Sequence, residues 1–180
     1  NMSNRKNIYL SEDTTFSKKE TKLSVETLDY MDNISVNWIN ENVDTEKDGP
    51  HNGTNYIAYS FYVANLGGET VNYWYEIDID DSIRNVDSAI RIKIYRNGVD
   101  TTYAKANEKT KEAEENTKKF RSDDIAVLEE RKDFKPNQKD RFTIVVWIEG
   151  DDPDCLDDLI GGELKMHMDI TEEHVLKKKK

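Results

Sequence analysis

The chain has 180 residues, with 26 Lys+Arg against 37 Asp+Glu and a formal net charge of −11. That length suits one ordinary domain or at most two small ones, and the acidic balance argues against a nucleic-acid partner, which needs a basic footprint to displace phosphate counterions. No window approaches the ~18 apolar residues of a membrane span, the longest unbroken apolar stretch being Ile144 to Ile148, so no transmembrane segment is expected.

Residues 1–22 are polar, broken only by Ile8-Tyr9-Leu10 and Phe16. They lack a signal-peptide pattern and read as a flexible N-terminal arm; an exported protein would have lost its signal before residue 1. Residues 23–171 read as a single domain. Ile34, Val36 and Trp38 alternate with Ser35 and Asn37, the period of a strand. Tyr56 to Val63 is apolar on both faces, as a central strand should be. After the turn at Asn65-Leu66-Gly67-Gly68, residues Val71, Tyr73, Tyr75, Ile77 and Ile79 alternate with Asn72, Trp74, Glu76 and Asp78. That is a strand with one wet side, on which Trp74 is expected to be exposed. Ile90, Ile92 and Ile94 repeat the pattern, and Asn97-Gly98 supplies a hairpin turn.

From Ala104 to Lys119 nine of sixteen positions are charged and none is large and apolar. Such a segment has nothing to bury and is expected to be a solvated excursion. Strand patterning resumes at Ile125 and Val127, turns at Phe134-Lys135-Pro136-Asn137, and continues through Phe142, Ile144, Val146 and Ile148. Asp154 can cap a short helix over 154–160, which Gly161-Gly162 would stop. A last strand carries Leu164, Met166, Met168 and Ile170, and residues 172–180 form a basic tail ending in four lysines. Seven or eight strands with no intervening amphipathic helix predict an all-β fold, an antiparallel two-sheet β-sandwich of Ig-like or jelly-roll arrangement.

Candidate chemistry is sparse. The histidines are His51, His167 and His174, and no His-Glu-x-x-His occurs. The spacing of His167 and His174, with Asp169, Glu172 and Glu173 nearby, leaves an irregular metal site open, but spacing alone does not show that ligands converge. Two acidic clusters raise calcium as a cofactor: Asp78, Asp80 and Asp81, and Asp151, Asp152, Asp154, Asp157 and Asp158. In the second, Asp151, Asp152 and Asp154 are the candidate ligands. The register fails as an EF-hand, because counting from Asp152 the sixth position is Asp157 instead of Gly. Cys155 is the single cysteine, so no intrachain disulfide forms. It reads as a small buried hydrophobe before a reactive thiol. Aromatics such as Tyr59, Tyr62, Trp74 and Tyr95 could present a carbohydrate platform, but most fall at core spacing.

The strings NYIAYSFYVANLG (55–67), FKP (134–136), FTIVVWIEG (142–150) with DDPDCLDDLIGGE (151–163), and LKMHMDI (164–170) resemble the TasA/camelysin type of secreted Gram-positive protein, over roughly Ile34 to Thr171 with gaps. That resemblance implies a two-sheet β-sandwich, export through a SipW-dependent signal peptide, and a place in the cell envelope or extracellular matrix. TasA-like proteins build biofilm fibres in which a terminal strand of one subunit can complete the sheet of the next, and residues 1–22 are where such a strand would lie. Camelysin carries a metalloprotease label, but the helical zinc motif is missing here. The sequence therefore leads to the expectation of a secreted surface or matrix protein acting through protein contacts, including self-association by strand addition. The alternatives are a metal-dependent protease using His167 or His174, and a calcium- or carbohydrate-binding module.

Overall fold

In the computed structural model, residues 6–16, 32–83, 85–155 and 163–174 are described. The strands are β1 (Ile8–Ser11), β2 (Gly49–Pro50), β3 (Tyr56–Asn65), β4 (Val71–Ile83), β5 (Ile90–Arg96), β6 (Val99–Ala104), β7 (Lys118–Lys119), β8 (Ile125–Phe134), β9 (Lys139–Ile148) and β10 (Glu163–His174). They form two sheets. The larger runs β1-β3-β9-β5-β6-β7, with β2 also paired to β3, and the smaller runs β10-β4-β8. All pairings are antiparallel except the two-residue β6–β7 contact. No α-helix occurs among the described residues, and the expected all-β sandwich is the fold observed.

Alternation along each strand builds the core. Ile57, Phe61 and Val63 of β3, Ile90, Ile92 and Ile94 of β5, and Phe142, Ile144, Val146 and Ile148 of β9 point inward from the larger sheet. Val71, Tyr73, Tyr75 and Ile77 of β4, Val127 of β8, and Leu164, Met166 and Met168 of β10 answer them from the smaller one. Because β3 and β9 are apolar on both faces, the larger sheet also buries its outer side. There Tyr56, Ala58, Val145 and Trp147 pack beneath Ile34 and Val43 from the segment that follows residue 32. The Asn97-Gly98 turn connects Arg96 to Val99 with both residues at positive φ, the backbone that matches the twist of a two-residue hairpin.

Four expectations change. Residues 34–38 do not form a strand: Ile34 makes one isolated bridge to Glu149, and Val36–Trp38 is a 3₁₀ turn. The Ser35 side chain caps that turn by accepting from the Asn37 amide, a local hydrogen bond that competes with a ladder. Nor is the N-terminal arm free where it is described. Asn7, Ile8, Leu10, Ser11 and Phe16 are buried, and β1 pairs with β3 from Ile8↔Asn65 to Ser11↔Tyr62. Ile8 and Leu10 alternate into the main core beside the β3 edge. The charged excursion is stitched at both ends, Ala104 closing β6 and Lys118–Lys119 pairing with Tyr103–Ala104, while the Phe120 amide donates to the Ala104 carbonyl. Between these ends the excursion is solvated as expected, held by Lys105 on Asp87 at 3.1 Å. Finally, the basic tail begins later, because β10 continues through His174. Of the helix expected at 154–160, Asp154 lies in a turn, and 156–160 fall outside the described residues, as do 175–180.

Candidate functional site

Two clusters of ionisable groups among the described residues bring three possible ligand atoms together, and one lies on the wet face of the smaller sheet. Alternation of β4 turns Asn72, Trp74, Glu76 and Asp78 away from the core, and the β10 register sets His167 against Asp78 and Asp169 against Glu76. A β-bulge follows: Lys165 pairs with Asp81 and Met166 with Ile79, so Asp80 has no partner across the strand. Bulges re-aim side chains, and here the Asp80 carboxylate reaches back to His167. His167 Nδ1 lies 2.8 Å from both Asp80 oxygens, while Nε2 lies 3.2 Å from Asp78 Oδ2 and 3.2 Å from Asp169 Oδ2. The Asp80 hydrogen bond and the surrounding carboxylate charges raise the His167 pKa against a smaller opposing effect of burial. Glu76 is also raised, by its hydrogen bond with Asp78, by desolvation, and by the charges of Asp78 and Asp169. Trp74 shares this face half-buried, its indole donating to Glu173 at 2.6 Å.

The calcium candidates meet a different fate. Asp152 and Asp154 come together with Glu114 from the excursion, each offering a carboxylate oxygen within 4.8 Å of the others. Yet Asp152 is buried and its Oδ2 is taken by the Arg91 guanidinium at 2.6 Å, while its Oδ1 accepts the Asp154 amide. Asp154 Oδ2 accepts the Glu108 amide, and Asp151 stays at the rim of a cleft of about 350 Å³ shared with Arg91, Glu114 and Glu149. The chain supplies its own cation here. A calcium ion taking Asp152 would have to compete with Arg91 for its Oδ2, while Glu114 Oε1 beside it is closed to solvent and accepts no hydrogen bond. Asp78 and Asp80 of the other acidic cluster converge on His167, whereas Asp81 faces solvent.

Sequence spacing gave no sign of a third constellation. His51 Nε2 lies 2.9 Å from Ser60 Oγ, and His51 Nδ1 is 3.8 Å from Glu46 Oε2. The order Ser–His–acid matches nucleophilic hydrolases, where the base must touch the nucleophile and a third group must orient the base. Here the nucleophile is sealed: Ser60 is 0% exposed and its hydroxyl also bonds Thr143 Oγ1 at 2.7 Å. The Glu46 contact is too long for a hydrogen bond, and desolvation lowers the His51 pKa. The chain His51–Ser60–Thr143, with Thr143 Oγ1 donating to the Asp44 carbonyl at 3.3 Å, therefore fastens the segment from Asp44 to His51 to β3 and β9.

No protein-family model matches the sequence, and no match was found among curated proteins. Among solved structures, the chain aligns with the GH31 α-xylosidase from Xanthomonas citri at 10% identity and a TM-score of 0.34, covering 93% of this chain and 17% of that one. A likeness at that level bears on neither fold nor activity.

Cys155 behaves as its surroundings require. Burial, with the charges of Asp152 and Glu149, raises its thiol pKa against a hydrogen bond from Asn33 Nδ2 at 3.4 Å. A thiolate is the reactive form, so Cys155 in the folded chain should react with a neutral aromatic disulfide about tenfold or more slower than in urea, followed by absorbance at pH 8. The prominent exposed aromatic is Trp38 instead of Trp74: 72% of it is open to solvent beside Val36. The strand reading of 34–38 concealed this, since only the 3₁₀ turn swings Trp38 outward.

Proposed function

We propose that this protein is an exported surface or matrix building block that acts through protein–protein contacts and self-associates by exchanging its N-terminal strand. The observation that supports this reading most directly is β1. It puts Ile8 and Leu10 into the main core, although it is only four residues long and lies at the edge of its sheet. Its start is held by a clamp from the far end of the chain: Glu172 Oε1 accepts the amides of Asn7 and Ile8 at 2.8 and 3.0 Å, and Oε2 accepts Asn7 Nδ2 at 2.8 Å. Gly67 admits this approach, because a Cβ there would lie 1.7 Å from Asn7 Oδ1.

The slot on β3 recognises β1 by backbone pairing and two apolar side chains, which is the logic of strand addition. An identical segment from another copy satisfies the same slot. The resemblance to exported TasA-like proteins and the fold are consistent with this role.

Sedimentation velocity tests it. The full chain is expected to show concentration-dependent oligomers, a chain lacking residues 1–16 to stay monomeric, and a synthetic peptide of residues 6–16 to bind the shortened chain. Unchanged sedimentation after truncation, or a shortened chain that ignores the peptide, would sink the mechanism.

A further inference from the structure

The wet face of β4 and β10 holds more negative charge than its own residues compensate. Glu76, Asp78, Asp80 and Asp169 surround one imidazole, so even a protonated His167 balances one carboxylate of four. One observation locates the excess: Asp78 Oδ1 is closed to solvent and accepts no hydrogen bond. Carboxyl groups pressed together in this way take up either a proton or a cation.

The spacing favours the cation. Asp78, His167 and Asp169 each bring one ligand atom, and the three atoms lie within 4.8 Å of one another. From Nε2 to the Asp78 and Asp169 oxygens the distances are both 3.2 Å. Nitrogen and oxygen ligands about 2.0–2.2 Å from a tetrahedral ion sit about 3.3–3.5 Å apart, so along these two edges the atoms need to move by only tenths of an ångström. The Asp80 carboxylate on Nδ1 completes the pattern. Metal-bound histidines almost always donate their second N–H to a carboxylate or carbonyl, which fixes the tautomer that leaves the other nitrogen free as a ligand. His167, Asp78 and Asp169 are all partly exposed, so water can reach the fourth position.

We propose that Asp78, His167 and Asp169 bind a divalent transition-metal ion of the zinc type, with Asp80 as the positioning residue for the imidazole. The mixed nitrogen and carboxylate donors separate this ion from calcium or magnesium, which favour oxygen alone. The ion joins β10, an edge strand, to β4 across a separation of 89 residues between Asp78 and His167. The inference is independent of strand exchange by β1.

Isothermal titration of the chelator-stripped full chain with zinc chloride tests it, alongside calcium chloride and NMR of the imidazole nitrogens. One zinc per chain is expected, with His167 Nε2 shifting on binding. Asp78→Asn and His167→Gln should each weaken zinc by at least tenfold, and Asp80→Asn by about 10–100-fold, while His51→Gln leaves it unchanged. Calcium should bind more weakly than zinc and be indifferent to His167→Gln. Absent binding, unmoved His167 resonances with zinc present, or affinity lost in His174→Gln but kept in His167→Gln would each overturn the assignment. The NMR result on the unsubstituted chain decides even where a variant fails to fold.

Discussion

Replacing Asp140 by alanine should cost about 3–5 kcal/mol of folding stability at neutral pH, the range for removing one partner of a buried charged pair. Asp140 is only 1% exposed, yet it sits at the start of β9 where three elements meet. Its Oδ2 accepts the Tyr73 hydroxyl of β4 at 2.5 Å and Arg131 Nε of β8 at 2.9 Å, and its Oδ1 accepts Asn97 Nδ2 from the β5–β6 turn at 2.9 Å. Alanine would strand the Tyr73 hydroxyl in the core and leave the largely covered guanidinium without its counter-charge. Urea denaturation followed by tryptophan fluorescence measures the loss.

The same site makes stability acid-sensitive. Burial pushes the Asp140 pKa up, but hydrogen bonds from Arg131, Tyr73 and Asn97, with the Arg131 charge, outweigh it and hold the folded value below the usual carboxylate range. A lowered folded pKa means that the unfolded chain binds more protons, so stability rises with pH across that interval. The Asp140 contribution is therefore complete above the unfolded carboxyl pKa of about 3.9 and disappears as pH falls through the lower folded value. Asp140→Asn keeps an acceptor without the charge. It should be less destabilising than alanine at neutral pH and should flatten this part of the acid profile.

Much of the fold was legible because it follows from period-two patterning, which is local. Tyr56 to Val63, Val71 to Ile79, Ile90 to Ile94, Phe142 to Ile148 and Leu164 to Ile170 all lie in strands with the faces their alternation requires. The failures occur where a distant surface or a local hydrogen bond competes. Ile8-Tyr9-Leu10 is too short to announce itself, and it becomes a strand only because the β3 edge accepts it. Ile34-Val36-Trp38 has the strand period, but Ser35 closes a turn.

The sites were less visible for the same reason. Asp78 and Asp80 stand out in the sequence as an acidic run, and His167 as one of three histidines. What joins them is the β4–β10 register and the bulge at Asp80, neither of which leaves a local mark. The Arg91–Asp152 pair gives one of the calcium candidates an internal counter-charge through a contact spanning 61 residues. Nothing near Asp152 in the chain indicated that an arginine would be its partner.

Phe142→Ala should be comparably damaging, costing about 3–5 kcal/mol as large-to-small aromatic changes in cores do. Phe142 is 0% exposed and lies where the two sheets meet. Its ring stacks on Phe61 of β3 with centroids 5.2 Å apart and planes 4° apart, and meets Tyr75 of β4 edge-on at 5.1 Å and 73°. Tyr73 of β4 approaches it at 6.4 Å. Removing the ring thus separates layers as well as emptying space, and tyrosines already tied at one end, as Tyr73 is to Asp140, are poorly placed to collapse into the gap. Phe142→Leu retains most of the volume and should cost less, about 1–2 kcal/mol once the lost ring pairing is included. Val99, 74% exposed at the tip of the β5–β6 hairpin, is the matched control, and its alanine variant should fall within about 0.5 kcal/mol of the parent. Equal denaturant slopes for all three variants would show that each midpoint shift reports stability in the same two-state unfolding. If Phe142→Ala proved as mild as Val99→Ala, the two sheets could not be packed through this aromatic cluster.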